Sequence, residues 1–216
     1  MPDRIPVLLV DDDPDLREVT ASFLEREADR IAVETAPGAA EGLDALAERD
    51  VECIVSDYEM PGTDGLAFLA EVRERHPDLP FILFTGRGSE EVASEAISAG
   101  VTDYLRKPGG TERYERLANR IVEAVEKRRA ERDAERAIEQ FRTVADGASD
   151  AIVSLDDEGV IRFANPAVEP MFGHEPAALT GPLIGAPERC GLPRETRRFR
   201  IALVRPLDAV DTVGRV

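Results

Sequence analysis

Residues 53–65 read CIVSDYEMPGTDG, a short apolar run that ends at Asp57 and is followed by a loop containing proline and glycine. An acid that closes a buried strand, with a loop behind it, is where α/β proteins place their chemistry. The pattern occurs three more times. Residues 7–10 are followed by three aspartates at 11–13, residues 81–84 by Thr85, and residues 103–106 by Lys107. If these strands lie parallel in one sheet, three carboxylates, a hydroxyl and an ammonium converge at one edge.

Residues 1–126 alternate apolar runs with amphipathic stretches, which is typical of a βα repeat around a parallel sheet. We predict strands near 5–10, 31–35, 51–56, 80–84 and 102–105. We predict helices near 14–28, 38–49, 64–76, 89–99 and 111–126. Pro14 can open the first helix, Asp64 and Ser89 can act as N-caps, and Gly100 can end the fourth helix. The predicted fold class is α/β, with a five-stranded parallel, doubly wound sheet.

The chain changes character after residue 126. No helix breaker interrupts residues 127–140, which predicts a helical linker. Residues 141–185 are predicted to form a partial α+β unit, because 151–155 and 160–163 have the pattern of a β-hairpin. Residues 186–216 carry seven basic and four acidic side chains, unlike the acidic remainder. We expect an atypical, disordered tail there, and we hypothesise a truncated or frame-shifted end.

The composition narrows the classes of partner. A formal net charge of −17 repels nucleic acid and anionic membranes, so neither is expected to bind directly. Such acidity would suit a protein in concentrated salt, where screening removes most self-repulsion. The two cysteines form no disulfide or zinc pattern, and no signal peptide or membrane span is visible. The predicted location is cytoplasmic.

The convergent side chains predict a specific chemistry. Carboxylates about 5 Å apart repel by roughly 3 kcal/mol per pair at an effective dielectric constant near 20. Asp11, Asp12 and Asp57 therefore need a cation or protonation, and oxygen ligands without nearby His or Cys favour Mg²⁺. Thr85 could donate a hydrogen bond to a phosphoryl oxygen, and Lys107 could neutralise one. These parts describe a site that places a phosphoryl group on an aspartate. Helix capping and ordinary strand-end residues are the alternative explanation of each part alone.

Four segments carry a resemblance to a known family: VLLVDDDPD, IVSDYEMPGTDG, FILFTGRG and DYLRKP. Residues 5 to about 122 resemble the flavodoxin-like receiver domain of two-component response regulators. The resemblance implies that Asp57 accepts a phosphoryl group from a sensor histidine kinase. It implies that Asp12 and Asp11 bind Mg²⁺ with the backbone carbonyl of Glu59. It also implies that Lys107 pairs with the phosphoryl group and that a cis peptide precedes Pro108. Thr85 and Tyr104 are implied to change position on activation, and the output surface is implied to be the fourth helix, fifth strand and fifth helix.

Two further pairs of residues bear on how closely the chain follows this family. Gly109 and Gly110 stand where many receivers have Phe and an acidic residue, which suggests a looser loop after Lys107. Glu59 and Arg87 lie two residues beyond Asp57 and Thr85, at positions that tune hydrolysis in receivers. The pair could screen the acyl phosphate from water, or it could be an exposed ion pair of little energetic consequence.

The segment SDAIVSLDDEGVIRFANPAVEPMFGHEP, followed by LTG, resembles the start of a PAS sensor domain. The resemblance covers only about 45 residues, and it supports no bound flavin because the flavin-attaching Cys motif is missing. With its acidic composition, the chain is similar to receiver–PAS proteins of salt-loving archaea. The last receiver helix and linker could pair with a second copy as a homodimer, or could be a solvated linker.

We therefore predict a response regulator, which is a phosphoacceptor signalling protein and not an enzyme beyond its own phosphorylation and autodephosphorylation. Three alternatives stay open. The chain could be the N-terminal part of a hybrid sensor kinase, although no phosphoacceptor histidine helix follows. It could belong to a transcription regulator that lacks its output domain, or be a metal-dependent phosphohydrolase with an aspartyl nucleophile. The stimulus, the cognate kinase and the output are not predicted.

Overall fold

The computed structural model of the chain describes residues 4–86, 90–107, 110–155 and 160–182. The chain divides into two compact units, Met1–Arg132 and Asp133–Val216. The boundaries predicted from the sequence (1–126, 127–140, 141–185 and 186–216) stay predictions. Residues 186–216 lie outside the described residues.

The first unit is built around a five-stranded sheet with the order β2-β1-β3-β4-β5. Every neighbouring pair of strands is parallel, which confirms the predicted sheet. The strands are β1 (Ile5–Val10), β2 (Ile31–Ala36), β3 (Cys53–Ser56), β4 (Phe81–Thr85) and β5 (Asp103–Arg106). Most of their apolar side chains are buried, because helices cover both faces of the sheet.

Five helices follow the strands in alternation, as predicted. They are α1 (Pro14–Glu27), α2 (Ala39–Glu48), α3 (Gly65–Arg75), α4 (Glu90–Ser98) and α5 (Glu112–Asp146). Asp13 caps α1 and Asp64 caps α3 through side-chain hydrogen bonds to backbone N–H groups. The predicted cap at Ser89 lies outside the described residues. Gly100 follows α4 with φ +83°, a conformation that favours glycine after a helix.

The two faces of the sheet bury separate apolar clusters. Leu9 of β1 packs with Leu24 of α1 and Ile121 of α5. Leu8, the next residue back along β1, points to the opposite face and packs with Phe68 of α3. Because strand side chains alternate between faces, this division places α1 and α5 on one side and α2, α3 and α4 on the other.

Helix α5 is longer than a helix of this sheet requires. Its 35 residues give a length of about 50 Å. The sequence predicted a helix to residue 126 and then a helical linker, and α5 runs without interruption through both. Although α5 is long enough to cross a bilayer, no helix among the described residues is also apolar enough to do so.

The second unit contains a small antiparallel sheet with the order β6-β7-β8. The strands are β6 (Val153–Leu155), β7 (Val160–Ala164) and β8 (Gly181–Pro182), with short helices α6 (Val168–Phe172) and α7 (Pro176–Leu179) between β7 and β8. The antiparallel pairing of β6 with β7 confirms the predicted hairpin. Its buried cluster is Ala151, Ile161, Ala164 and Val168.

Candidate functional site

Three aspartates come together at the carboxyl edge of the five-stranded sheet. Val10 of β1 is level with Ser56 of β3, so the residues that follow them, Asp11 and Asp57, leave the sheet side by side. The backbone N–H of Asp57 donates to Val10 O at 2.8 Å, which fixes this alignment. Asp11, Asp12 and Asp57 each offer a carboxylate oxygen, and these oxygens all lie within 4.8 Å of one another.

Lys107 joins two of these acids. It directly follows β5, and its ammonium donates to Asp11 Oδ2 at 2.8 Å and to Asp57 Oδ2 at 3.1 Å. Its side chain is 6% exposed and lies near the ring of Phe84, with 5.5 Å between Nζ and the ring centroid. The Lys107 N–H donates to Thr85 O at 2.7 Å, which ties the ends of β4 and β5.

The cluster carries an excess of negative charge. Oxygens 4.8 Å apart repel by about 3 kcal/mol per ionised pair at an effective dielectric constant near 20. Burial raises the pKa of Asp11, while the hydrogen bond and charge of Lys107 lower it. Three carboxylates and the one ammonium of Lys107 leave two negative charges, which a divalent cation would offset. Because all the donors are oxygens, the cluster suits a hard ion such as Mg²⁺, held by Asp11, Asp12 and Asp57.

The two predicted switch residues lie on neighbouring strands. Thr85 is the last residue of β4, is 1% exposed and is level with Arg106 of β5. Tyr104 lies within β5, and its half-buried ring packs against the apolar cluster of Phe68. The Tyr104 hydroxyl is buried and has no hydrogen-bond partner in the described part of the chain. Tyr104 and Lys107 also line an open cavity of about 550 Å³.

The structure describes the remaining predicted residues only in part. Glu59 lies in the loop after β3 with an exposed side chain, while its proposed partner Arg87 lies outside the described residues. Pro108 and Gly109, with the predicted cis peptide and loose loop, also lie outside them. The metal-binding role of the Glu59 carbonyl and the tuning pair therefore stay predictions.

Two residues that support the site were missed from the sequence. The Arg17 guanidinium donates to the backbone carbonyl of Asp11. Gly65 begins α3 so close to Asp57 that a Cβ atom there would lie 2.4 Å from the Asp57 carbonyl oxygen. Gly65 lies within the quoted PGTDG segment, so a signal was present, whereas no local pattern distinguishes Arg17 from other surface arginines.

Comparison with known families gives two matches. A family model described as the response regulator receiver domain matches residues 7–119. A second family model, described as a PAS domain, matches residues 139–205. The first match contains all three aspartates, Thr85 and Lys107. The second contains the hairpin of β6 and β7 and extends past the described residues.

Individual relatives match between half and about two thirds of the chain. Transcriptional regulatory protein FixJ of Azorhizobium caulinodans is 41% identical over 108 residues, which are 50% of this chain and 50% of FixJ. C4-dicarboxylate transport transcriptional regulatory protein DctD of Rhizobium meliloti is 37% identical over 137 residues, which are 62% of this chain and 29% of DctD. A crystal structure of a CheY-like response regulator receiver domain protein from Methanospirillum hungatei has a TM-score of 0.53 and 27% identity, covering 59% of this chain and 98% of that one. The chain thus spans half or less of the two curated relatives.

Proposed function

The chain belongs to the family of response regulator receiver domains, and from this premise we propose that Asp57 is its phosphoryl-accepting residue. The observation that carries the proposal is the shared ammonium of Lys107, which contacts both Asp57 and Asp11. A buried lysine between two carboxylates is a charge partner already in position for an incoming phosphoryl group. The acidic trio supplies the oxygen ligands for Mg²⁺ beside it.

In the proposed transfer, a carboxylate oxygen of Asp57 attacks phosphorus while the bond from phosphorus to a kinase histidine nitrogen breaks. The products are an acyl phosphate on Asp57 and a histidine that keeps the electron pair of the broken bond. Lys107 neutralises a phosphoryl oxygen, and the Thr85 hydroxyl donates a hydrogen bond to another. Mg²⁺ bound to Asp11, Asp12 and Asp57 would offset negative charge that accumulates during transfer.

We propose that Thr85 and Tyr104 carry the change away from Asp57. The unpartnered hydroxyl of Tyr104 supports this role. A buried hydroxyl without a hydrogen bond is energetically unfavourable, so a new position in which it gains a partner would be favoured. The adjacent strands β4 and β5 lead to α4 and to α5, whose outer surfaces would present the signal. Ile97 of α4 is 71% exposed, so that surface offers an apolar side chain to a partner.

The partners proposed here follow from the receiver chemistry. A sensor histidine kinase would supply the phosphoryl group. A homodimer through α5 is supported by Ile138 and Val144, which are 55% and 75% exposed on that helix. Direct contact with nucleic acid is not proposed, because the net charge of −17 opposes it. Adaptation to concentrated salt and a cytoplasmic location also stay predictions.

Phosphorylation by a small donor tests the proposal. The full chain is incubated with acetyl phosphate and Mg²⁺, and intact mass and peptide mapping locate the added group. We expect acid-stable, base-labile phosphate on Asp57 in the wild type. We expect none in Asp57→Asn and none when a chelator removes the metal. Asp44→Asn is the matched control, because Asp44 is exposed on α2 and outside the acidic trio.

The same assay separates the alternatives. Unchanged labelling in Asp57→Asn would refute the assignment of Asp57. Rapid multiple turnover on varied phosphoesters would instead favour a phosphohydrolase that uses the same aspartate as its nucleophile. If Asp57 is labelled, transfer of the phosphoryl group from a phosphorylated histidine kinase domain to Asp57 would identify the class of partner directly.

A further inference from the structure

Asn165 is a buried polar side chain that the proposed phosphoryl chemistry does not use. It directly follows β7 in the second unit and is 0% exposed. Among the described residues, four other polar residues are also buried, with exposed fractions of 0% to 3%. Three of them, Asp11, Ser56 and Thr85, lie at or beside the edge that carries the aspartates, whereas Asn165 lies in the second unit.

The side-chain amide of Asn165 forms three hydrogen bonds. Its Nδ2 donates to the carbonyls of Ala145 at 2.8 Å and Asp150 at 2.9 Å. Its Oδ1 accepts from the Ile152 N–H at 2.8 Å. Two carbonyls beside one amide atom and an N–H beside the other fix which atom is nitrogen. Both donors of the amide are therefore used, and its oxygen is satisfied.

The backbone of Asn165 strengthens the same connection. Its N–H donates to Ile152 O at 3.0 Å, and its carbonyl accepts from the Val168 N–H at 3.2 Å. One residue thus joins the end of β7, the start of α6, the segment before β6 and the last turn of α5. Without the side chain, the Ile152 N–H and the carbonyls of Ala145 and Asp150 would each lose a partner, and the bond to Ala145 is fully buried.

The last turn of α5 is packed as well as hydrogen-bonded. Ala145 is 1% exposed, although residues 130–140 of the same helix are exposed. Phe141 meets Phe163 of β7 edge to face, with ring centroids 5.4 Å apart. Helix ends normally fray because their final carbonyls lack partners, yet here the Ala145 carbonyl accepts from Asn165. The end of α5 is therefore part of the second unit.

We propose that Asn165 is a joint that locks the last turn of α5 to the hairpin of the second unit. The helix end and the strands then move as one body, and a displacement of either reaches the other through this amide. Asn165 is a positioning residue in this scheme. The proposal is independent of whether Asp57 accepts a phosphoryl group.

Hydrogen exchange of the wild-type full chain is the first test. We expect the amides of residues 143–148 and of Ile152 to exchange at least about tenfold more slowly than those in residues 130–138, since the hydrogen bonds of the Asn165 side chain must open before this segment can. Protection that falls steadily from residue 130 towards residue 146 would indicate ordinary fraying and overturn the proposal. This measurement does not depend on the folding of any variant.

Asn165→Asp is the second test, because it preserves shape and turns the two-donor amide nitrogen into an oxygen that faces two carbonyls. We expect exchange at residues 143–148 and at Ile152 to rise at least about tenfold, with a smaller rise at the paired residues Ser154 and Phe163. Asn119→Asp is the matched control, because Asn119 is exposed on α5, and it should change nothing there. Val168→Ala removes core packing without touching these bonds, and should loosen the second unit evenly. An even rise in Asn165→Asp, or no rise, would overturn the proposal.

Discussion

Gly65 shows how one missing side chain can position a reactive one. A Cβ atom at this position would lie 2.4 Å from Asp57 O and 2.8 Å from Leu83 Cδ2. The oxygen belongs to the backbone, so relief requires moving either the start of α3 or the segment that carries Asp57. The position of the Asp57 backbone therefore depends on the absence of a side chain at the start of α3.

We predict that Gly65→Ala lowers the free energy of unfolding by about 1–3 kcal/mol, the usual consequence of overpacking. Phosphorylation of Asp57 by acetyl phosphate should slow at least about tenfold, because a displacement of about 1 Å in a reacting group can cost that much or more. Urea unfolding and intact mass measure the two effects. Gly38→Ala is the control, since its Cβ would meet only the flexible Glu41 side chain at 3.4 Å. Wild-type stability and rate in Gly65→Ala would contradict this role of the glycine.

Residues that contribute charge to the site were more predictable than residues that hold it in place. Lys107 was identifiable because it follows a strand in a chain with only one other lysine. Its two hydrogen bonds, to Asp11 and Asp57, span 96 and 50 residues of sequence. The expectation that these three side chains meet came from placing their strands parallel in one sheet. Asn165 was not identified from the sequence, because nothing local indicates that its amide reaches Ala145, 20 residues earlier.

Among the elements, strands were predicted well because most are short apolar runs and all alternate with helical stretches. The predicted 102–105 strand is β5 at Asp103–Arg106, and the predicted 80–84 strand is β4 at Phe81–Thr85. The stretch after residue 126 was predicted to be helical because it has no breaker. Its anchoring could not be predicted, since Arg129 contacts Glu52, 77 residues away.

That contact predicts a measurable coupling between α5 and the sheet. The Arg129 guanidinium is bidentate on Glu52, with Nε 3.0 Å from Oε1, and also reaches Arg4 O at 3.4 Å. The two side chains are 25% and 19% exposed. We expect a double-mutant cycle with Arg129→Ala and Glu52→Ala to give a coupling of about 1–2 kcal/mol in urea unfolding, above most exposed pairs.

Arg30 and Glu126 form the matched control for this cycle. Their atoms approach to 2.7 Å, but the side chains are 41% and 53% exposed and share a single contact. Their coupling should stay below about 0.5 kcal/mol, because solvent screens the pair and ordering the side chains is unfavourable. Equal couplings in the two cycles would show that the bidentate contact does not anchor α5 more firmly than a surface ion pair.

At the scale of the whole molecule, the net charge of −17 is the dominant electrostatic feature. Surface ion pairs offset it only locally, so the folded chain carries a general self-repulsion that unfolding relieves. The Debye length falls from about 10 Å at 0.1 M salt to about 3 Å at 1 M, which screens most of that repulsion. Added salt should therefore stabilise the fold.

We predict that the thermal midpoint of the first unit rises by on the order of 5 °C between 0.1 and 1 M sodium chloride, equivalent to about 1–2 kcal/mol. Tyrosine fluorescence isolates this unit, because the chain has no Trp and its three tyrosines are Tyr58, Tyr104 and Tyr114. Screening predicts a steep early rise that flattens near 1 M, whereas exclusion of salt from the protein surface predicts a rise that continues with concentration. A flat or falling midpoint below 1 M would mean that the local ion pairs already balance the acidic surface.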